Sequence, residues 1–168
     1  VSVDDYADID QVRSALRHGR TCLLLNERSA GGMKVFVVVS AKHCEADHIA
    51  FMARQARGLI CLAMTRARCA ELDLPFMVEG DESLSPFTLS IEATTGIDTG
   101  ISAADRARTV RVAVDPSTRP ADLVQPGHIF PIAAATGGVL TRTAPAEAAI
   151  DLATLAGLSP AAVFTEVL

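Results

Sequence analysis

With 168 residues, 49% of them apolar, the chain is long enough to bury the core of one domain without a disulfide or a structural metal. Its 20 acidic residues against 15 Lys and Arg leave a formal charge of −5, which gives no general attraction to phosphate backbones or anionic lipid and argues against nucleic-acid and membrane partners. No run approaches the roughly 20 uncharged apolar residues of a spanning helix, and the N-terminus VSVDDYADID is acidic where a signal peptide would be basic, so a cytoplasmic chain is expected.

Residues 9–18 place Ile9, Val12, Ala15 and Leu16 on one face at helical spacing, with Gly19 as the stop. TCLLL (21–25) and VFVVV (35–39) read as buried strands joined by the loop NERSAGG (26–32). From Glu45 the apolar positions Ala46, Ile49, Ala50 and Ala53 repeat with period 3.6 up to Gly58, and LICLAM (59–64) follows as another buried strand. Residues 66–72 form a short helix, and FTLSIEA (87–93) alternates apolar and polar side chains as a half-buried strand does. Ser102 caps a helix, with Asp105 three residues on as a variant capping box. Pro120, Pro126 and Pro131 predict an extended loop over 119–131, running past His128. The last helix covers 145–155, opened by Pro145 and stopped by Gly157. This order of elements predicts a layered α/β (α+β) domain over residues 1–168 and leaves the strand order open.

Few of the chemistry-bearing residues form a recognised pattern. Cys44 and His48 lie four apart on one helix face, but no second pair at zinc spacing accompanies them, and the four cysteines form no CxxC pair, which suits reduced thiols. Gly31-Gly32 and Gly137-Gly138 lack the spacing of a Walker loop or a dinucleotide fingerprint and read as tight turns. Ser102, in GISAAD, lacks a nucleophile elbow. His128 is bracketed by prolines, which would hold an imidazole in a fixed place for either a structural or a chemical role. Arg106 and Arg108 near a helix start, and Arg142 after a glycine turn, are candidates for holding a phosphate.

Several segments in order carry a family signature. TTGIDTGISAADRARTV (94–110), QPGHIFPI (125–132), GGVLTR (137–142) and EAAIDLATLAG (147–157), with LICL, ELDLPFMV and FTLSIEA before them, resemble the 3,4-dihydroxy-2-butanone 4-phosphate synthases of riboflavin biosynthesis over nearly the whole chain. The resemblance implies the synthase fold, a mixed sheet flanked by helices. It also implies conversion of ribulose 5-phosphate to 3,4-dihydroxy-2-butanone 4-phosphate and formate, with a magnesium-type ion at a homodimer interface. By position, His128 and Glu166 would be the essential catalytic residues. Arg142 and Thr143, with Ser102, Asp105, Arg106 and Thr109, would bind the substrate.

Two departures fall on the metal. Where the family has an acidic loop that supplies a metal-binding glutamate, this chain reads NERSAGGMKV (26–35), with Glu27 its single acid; where the family has a metal-binding histidine, it has Pro145. No cofactor is therefore expected in this chain, although the family uses magnesium or manganese. EGDESLSP (79–86) is shorter than the corresponding family loop, and the chain ends at Leu168 where the family continues. The expectation is a catalytically impaired or inactive synthase-like domain, kept for dimerisation, ligand binding or support of a fused GTP cyclohydrolase II domain. An active lyase, or a module that binds a sugar phosphate or a flavin precursor, is the alternative.

Overall fold

The computed structural model describes residues 6–27, 31–78 and 86–168. Helix α1 (Ile9–Arg17) starts at a capping box, in which Asp8 accepts from the Gln11 amide and the Gln11 side chain accepts from the Asp8 amide. Next come β1 (Cys22–Asn26) and β2 (Lys34–Ser40), an antiparallel pair. Helix α2 (Ala46–Phe51) runs on as a π-helical turn, Met52–Ala56, closed by the Arg57 amide on the Met52 carbonyl at 2.9 Å. Then follow β3 (Cys61–Thr65), α3 (Arg66–Glu71), β4 (Ile91–Ala93), α4 (Ala103–Val114), β5 (Leu123–Ala134), α5 (Pro145–Leu155) and β6 (Ala161–Glu166).

Among the described residues six strands form one sheet in the order β1-β2-β6-β3-β5-β4, parallel at β3–β5 and antiparallel at the other contacts. Strand alternation then divides the core into two layers. Val37, Val39, Leu62, Met64 and Val163 face Ile49 of α2, Met52 of the π-turn and Val110 of α4. Phe36, Val38, Cys61, Ala63 and Phe164 face Ala146, Ala149 and Ile150 of α5. The run VFVVV is apolar throughout because both faces of its strand are covered. Arg13 and Arg17 of α1 donate to the Leu155 and Ala156 carbonyls at the end of α5 (2.8 and 2.7 Å), tying the two helices together.

The layered mixed sheet agrees with the expected fold class; three local expectations are corrected. Residues 119–131 are not an extended loop. A short turn over 120–122 leads into β5, whose Pro131 lies in register with Leu62 and accepts from the Thr88 amide, so its missing N–H leaves the strand intact. In α2 the π-turn shifts the buried stripe to Ile49, Met52 and Ala56 and leaves Ala53 exposed. The segment 87–93 is regular only over β4, with isolated bridges at Phe87 and Thr88. All four cysteines are free thiols, and among the described residues no helix is long and apolar enough to cross a membrane.

Candidate functional site

Strand β5 ends at Ala134, and the chain turns back through Gly138–Leu140 into α5. Gly138 has φ 62°, and a side chain there would run into the Asp151 carboxylate. That carboxylate accepts from the Val139 amide at 2.9 Å, so α5 holds the turn that delivers Arg142. Arg142 Nε donates to Glu147 Oε1 at 2.8 Å, Nη2 reaches the same oxygen, and the Ala135 amide donates to it at 2.7 Å. Glu147 is fully buried in the first turn of α5, where the positive end of the helix dipole suits a carboxylate. Its other oxygen, Oε2, is buried and has no partner among the described residues.

Arg142, Glu147 and Glu166 are the charged residues that line a cavity of about 420 Å³ between the sheet and the start of α5. Its other walls are apolar and include Phe36, Cys61, Phe87, Ile132 and Phe164, with Pro145 beside them. Glu166 stands opposite Phe36 in the β2–β6 register, which brings Lys34 Nζ within 2.9 Å of Oε1 and 3.2 Å of Oε2. A second cavity of about 370 Å³ shares Pro145 and is lined by Tyr6, Leu24, Glu27, Val139 and Thr143. Tyr6 donates to Glu27 Oε1 there at 2.6 Å, and the Thr143 hydroxyl is directed at the Val139 carbonyl at 3.5 Å. The structure thus gathers Arg142 and Glu166 around one cavity, with Thr143 next door.

The remaining candidates lie elsewhere. His128, on β5, donates through Nδ1 to Glu92 Oε1 at 2.9 Å, which leaves Nε2 to exchange a proton. A register shift between Ile91 and Glu92 re-aims the Glu92 side chain, and Gly100 (φ 79°) leaves room for its carboxylate, which any side chain at that position would overlap. His128 lines neither cavity. Ser102 caps α4 by accepting from the Asp105 amide at 3.0 Å. Asp105 does not complete a capping box; its carboxylate accepts from the Gly100 amide at 3.0 Å and pins the turn before the helix. Thr109 accepts from the Ala93 amide at 3.1 Å and fixes α4 to β4. Arg106 Nε is buried without a partner among the described residues, and burial lowers its pKa. Helix α4 packs on the opposite face of the sheet from α5, so within one chain Ser102, Asp105, Arg106 and Thr109 do not converge with Arg142.

His48 accepts from the Glu45 amide through Nδ1 and donates to the Gly19 carbonyl through Nε2; both nitrogens are taken, and Cys44 is buried. Three residues that these pairings single out were not among the expected ones. Glu147 had a signal, an acid in the first turn of a helix opened by proline. Glu92 had a weaker one, the polar side of an alternating strand. Lys34 had none.

The family of 3,4-dihydroxy-2-butanone 4-phosphate synthase matches residues 10–168. A Pseudomonas syringae pv. tomato protein of that name is 50% identical over 162 residues, covering 95% of this chain and 44% of the relative. The crystal structure of RibBX, a two-domain 3,4-dihydroxy-2-butanone 4-phosphate synthase from A. baumannii, superposes with TM-score 0.89 at 41% identity, covering 96% of this chain and 48% of that one. A synthase crystallised with two magnesium ions superposes with TM-score 0.90 at 35% identity, covering 96% and 76%. The chain thus spans less than half the length of the first two, and fusion to a further domain occurs among its relatives.

The magnesium-bound structure overturns the expectation of no cofactor, since a close structural relative takes up divalent ions. The physical reason is that magnesium keeps several of its waters and is commonly held by one or two carboxylates plus the substrate's phosphate, so a missing acidic cluster in the sequence is a poor guide to whether an ion is bound. In this chain the described residues do not fit as a preformed ion site. No three His, Cys, Asp or Glu come together among them, and of the two cavity carboxylates Glu166 faces Lys34 and Glu147 holds Arg142 through Oε1.

Proposed function

This chain belongs to the 3,4-dihydroxy-2-butanone 4-phosphate synthase family of riboflavin biosynthesis, and from that premise we propose that it is a synthase-like domain whose lyase turnover is strongly reduced while it still holds a phosphorylated sugar. One observation carries this reading: both oxygens of Glu166 face the Lys34 ammonium. The family's reaction starts with enolisation, and a base for that step must reach a substrate proton at hydrogen-bond distance. Glu166 would first have to leave Lys34, a half-exposed pair that costs about 1 kcal/mol or less to part. Pro145, at the place of the family's histidine, has no nitrogen or oxygen to offer from its side chain. Arg142, by contrast, stays at the cavity as a donor for an anion.

The working-lyase reading has one observation in its favour, the His128–Glu92 pair, which leaves an imidazole nitrogen oriented and open. Measuring formate released from ribulose 5-phosphate with saturating magnesium or manganese separates the two. We expect formate at the background level. Turnover that disappears on His128→Ala or Glu166→Ala would establish a working lyase instead.

Because His128 lies outside the cavity that holds Arg142 and Glu166, the proposal includes a homodimer in which a two-fold axis completes the site. Light scattering at micromolar concentration is expected to give twice the chain mass, and a monomer alone would count against the assembly. The proposed setting is the cytoplasm, with the chain as a single synthase-like domain of a longer protein that carries a GTP cyclohydrolase II domain. The two-domain architecture of RibBX supports a fusion of this general kind.

A further inference from the structure

We propose that Glu147 is a positioning residue that sets the angle of the Arg142 guanidinium, so that Nη1 is presented to the cavity as a donor to an anionic ligand; this rests on the reading of Arg142 as an anion donor. Three donors from two segments meet on one oxygen of Glu147: Arg142 Nε at 2.8 Å, Arg142 Nη2, and the Ala135 amide at 2.7 Å. Nη2 is also directed at the Ala133 carbonyl at 3.5 Å. A guanidinium is planar, so holding Nε and Nη2 fixes the whole plane. Nη1 is the nitrogen left over; it has no partner among the described residues. The same oxygen therefore joins the end of β5, the glycine turn and the first turn of α5.

Geometry and charge make different demands at this position. An aspartate would keep the charge but leave the oxygen about one carbon–carbon bond, ~1.5 Å, short of the guanidinium. A glutamine would lose the charge but keep an oxygen at Oε1, and its amide nitrogen would replace Oε2, which has no donor to lose. If Glu147 served only to neutralise a partly buried arginine, Glu147→Asp would be the mild change and Glu147→Gln the harmful one. Positioning demands the reverse.

The test uses the full chain at low salt with inorganic phosphate as the probe, followed by calorimetry. Glu147→Asp is expected to bind on the order of tenfold more weakly, the scale of one charge-assisted hydrogen bond. Glu147→Gln is expected to bind as tightly as the unaltered protein, or more tightly. The ¹⁵N-resolved Nε–H signal of Arg142 gives a second readout that needs no ligand: slow exchange in the unaltered protein and Glu147→Gln, and loss of protection in Glu147→Asp. Phosphate affinity unchanged in Glu147→Asp, or lost in Glu147→Gln as far as in Glu147→Asp, overturns the proposal. If the Nε–H signals behave as stated but the unaltered protein binds no phosphate, the reading of Arg142 as an anion donor fails and with it the presentation of Nη1 to a ligand, whereas equal Nε–H protection in Glu147→Asp and the unaltered protein overturns the positioning by Glu147 itself.

Discussion

Between pH 9 and 11 the domain is expected to lose on the order of 6 kcal/mol of stability, from three buried thiols that each contribute roughly 1 kcal/mol per pH unit. Burial pushes Cys44 and Cys61 up to about 12 from 9.0, with Glu45 adding to the shift at Cys44 and Arg111 opposing it. Cys69 rises to about 11, burial outweighing Arg66 and Arg68. The folded state keeps these three protons while the unfolded chain gives them up above pH 9. The unfolded state then binds fewer protons, so stability is complete below pH 9 and falls as pH rises toward the folded-state values. A loss on the order of 6 kcal/mol over these two units is comparable with the whole stability of an ordinary domain, about 5–15 kcal/mol. Urea titrations at fixed pH steps, with reductant present, should therefore show the midpoint collapsing by pH 11. The variant with Cys44, Cys61 and Cys69 all changed to Ala should hold a much flatter profile over the same range. A level profile in the unaltered protein would show that these thiols titrate freely in the folded state. At neutral pH the same burial makes Cys61, although it lines the cavity, a poor nucleophile.

What could be read in the sequence depended on how local each signal is. VFVVV and the 145–155 helix were legible because their pattern is complete within a few residues, and the family motifs located Arg142 and Pro145 for the same reason. Strand β6 was not recognised, because its first two residues, Ala161 and Ala162, give little apolar contrast and its place is set by pairing with β2 and β3, both distant in sequence. Strand β5 was hidden by Pro126 and Pro131, which read as loop until their carbonyls and neighbours are known. The pairings that decide the character of the site are equally non-local. Lys34 meets Glu166 across 132 residues, and Glu92 meets His128 only after a register shift between β4 and β5. No spacing rule in one sequence reveals such a pair. The separation of α4 from Arg142 was hidden too, because it follows from which face of the sheet each helix covers.

Arg142→Met should destabilise the domain by about 3–5 kcal/mol, the usual loss when one member of a buried ion pair is removed. Glu147 would be left fully buried as a carboxylate whose remaining donor is the Ala135 amide. That amide and the N-terminus of α5 offset part of the penalty, which points to the lower end of the range. Replacing both partners, as Arg142→Met with Glu147→Met, removes the stranded charge and puts apolar atoms against Phe36, Ile132 and Phe164, so most of the lost stability should return. Urea unfolding of the two single variants and the double variant gives the coupling directly. Arg142→Met costing less than about 1 kcal/mol would mean that the pair behaves as a surface ion pair. A double variant as unstable as the worse single one would mean that the guanidinium supports the glycine turn in some way other than through Glu147. The same cycle guards the ligand measurement. Arg142→Ala is expected to weaken phosphate binding by about 1.5–3 kcal/mol, a charge-assisted hydrogen bond. That loss can be assigned to the missing donor only where the unfolding curve shows the variant folded, since a domain that has surrendered its buried pair would lose affinity for a different reason.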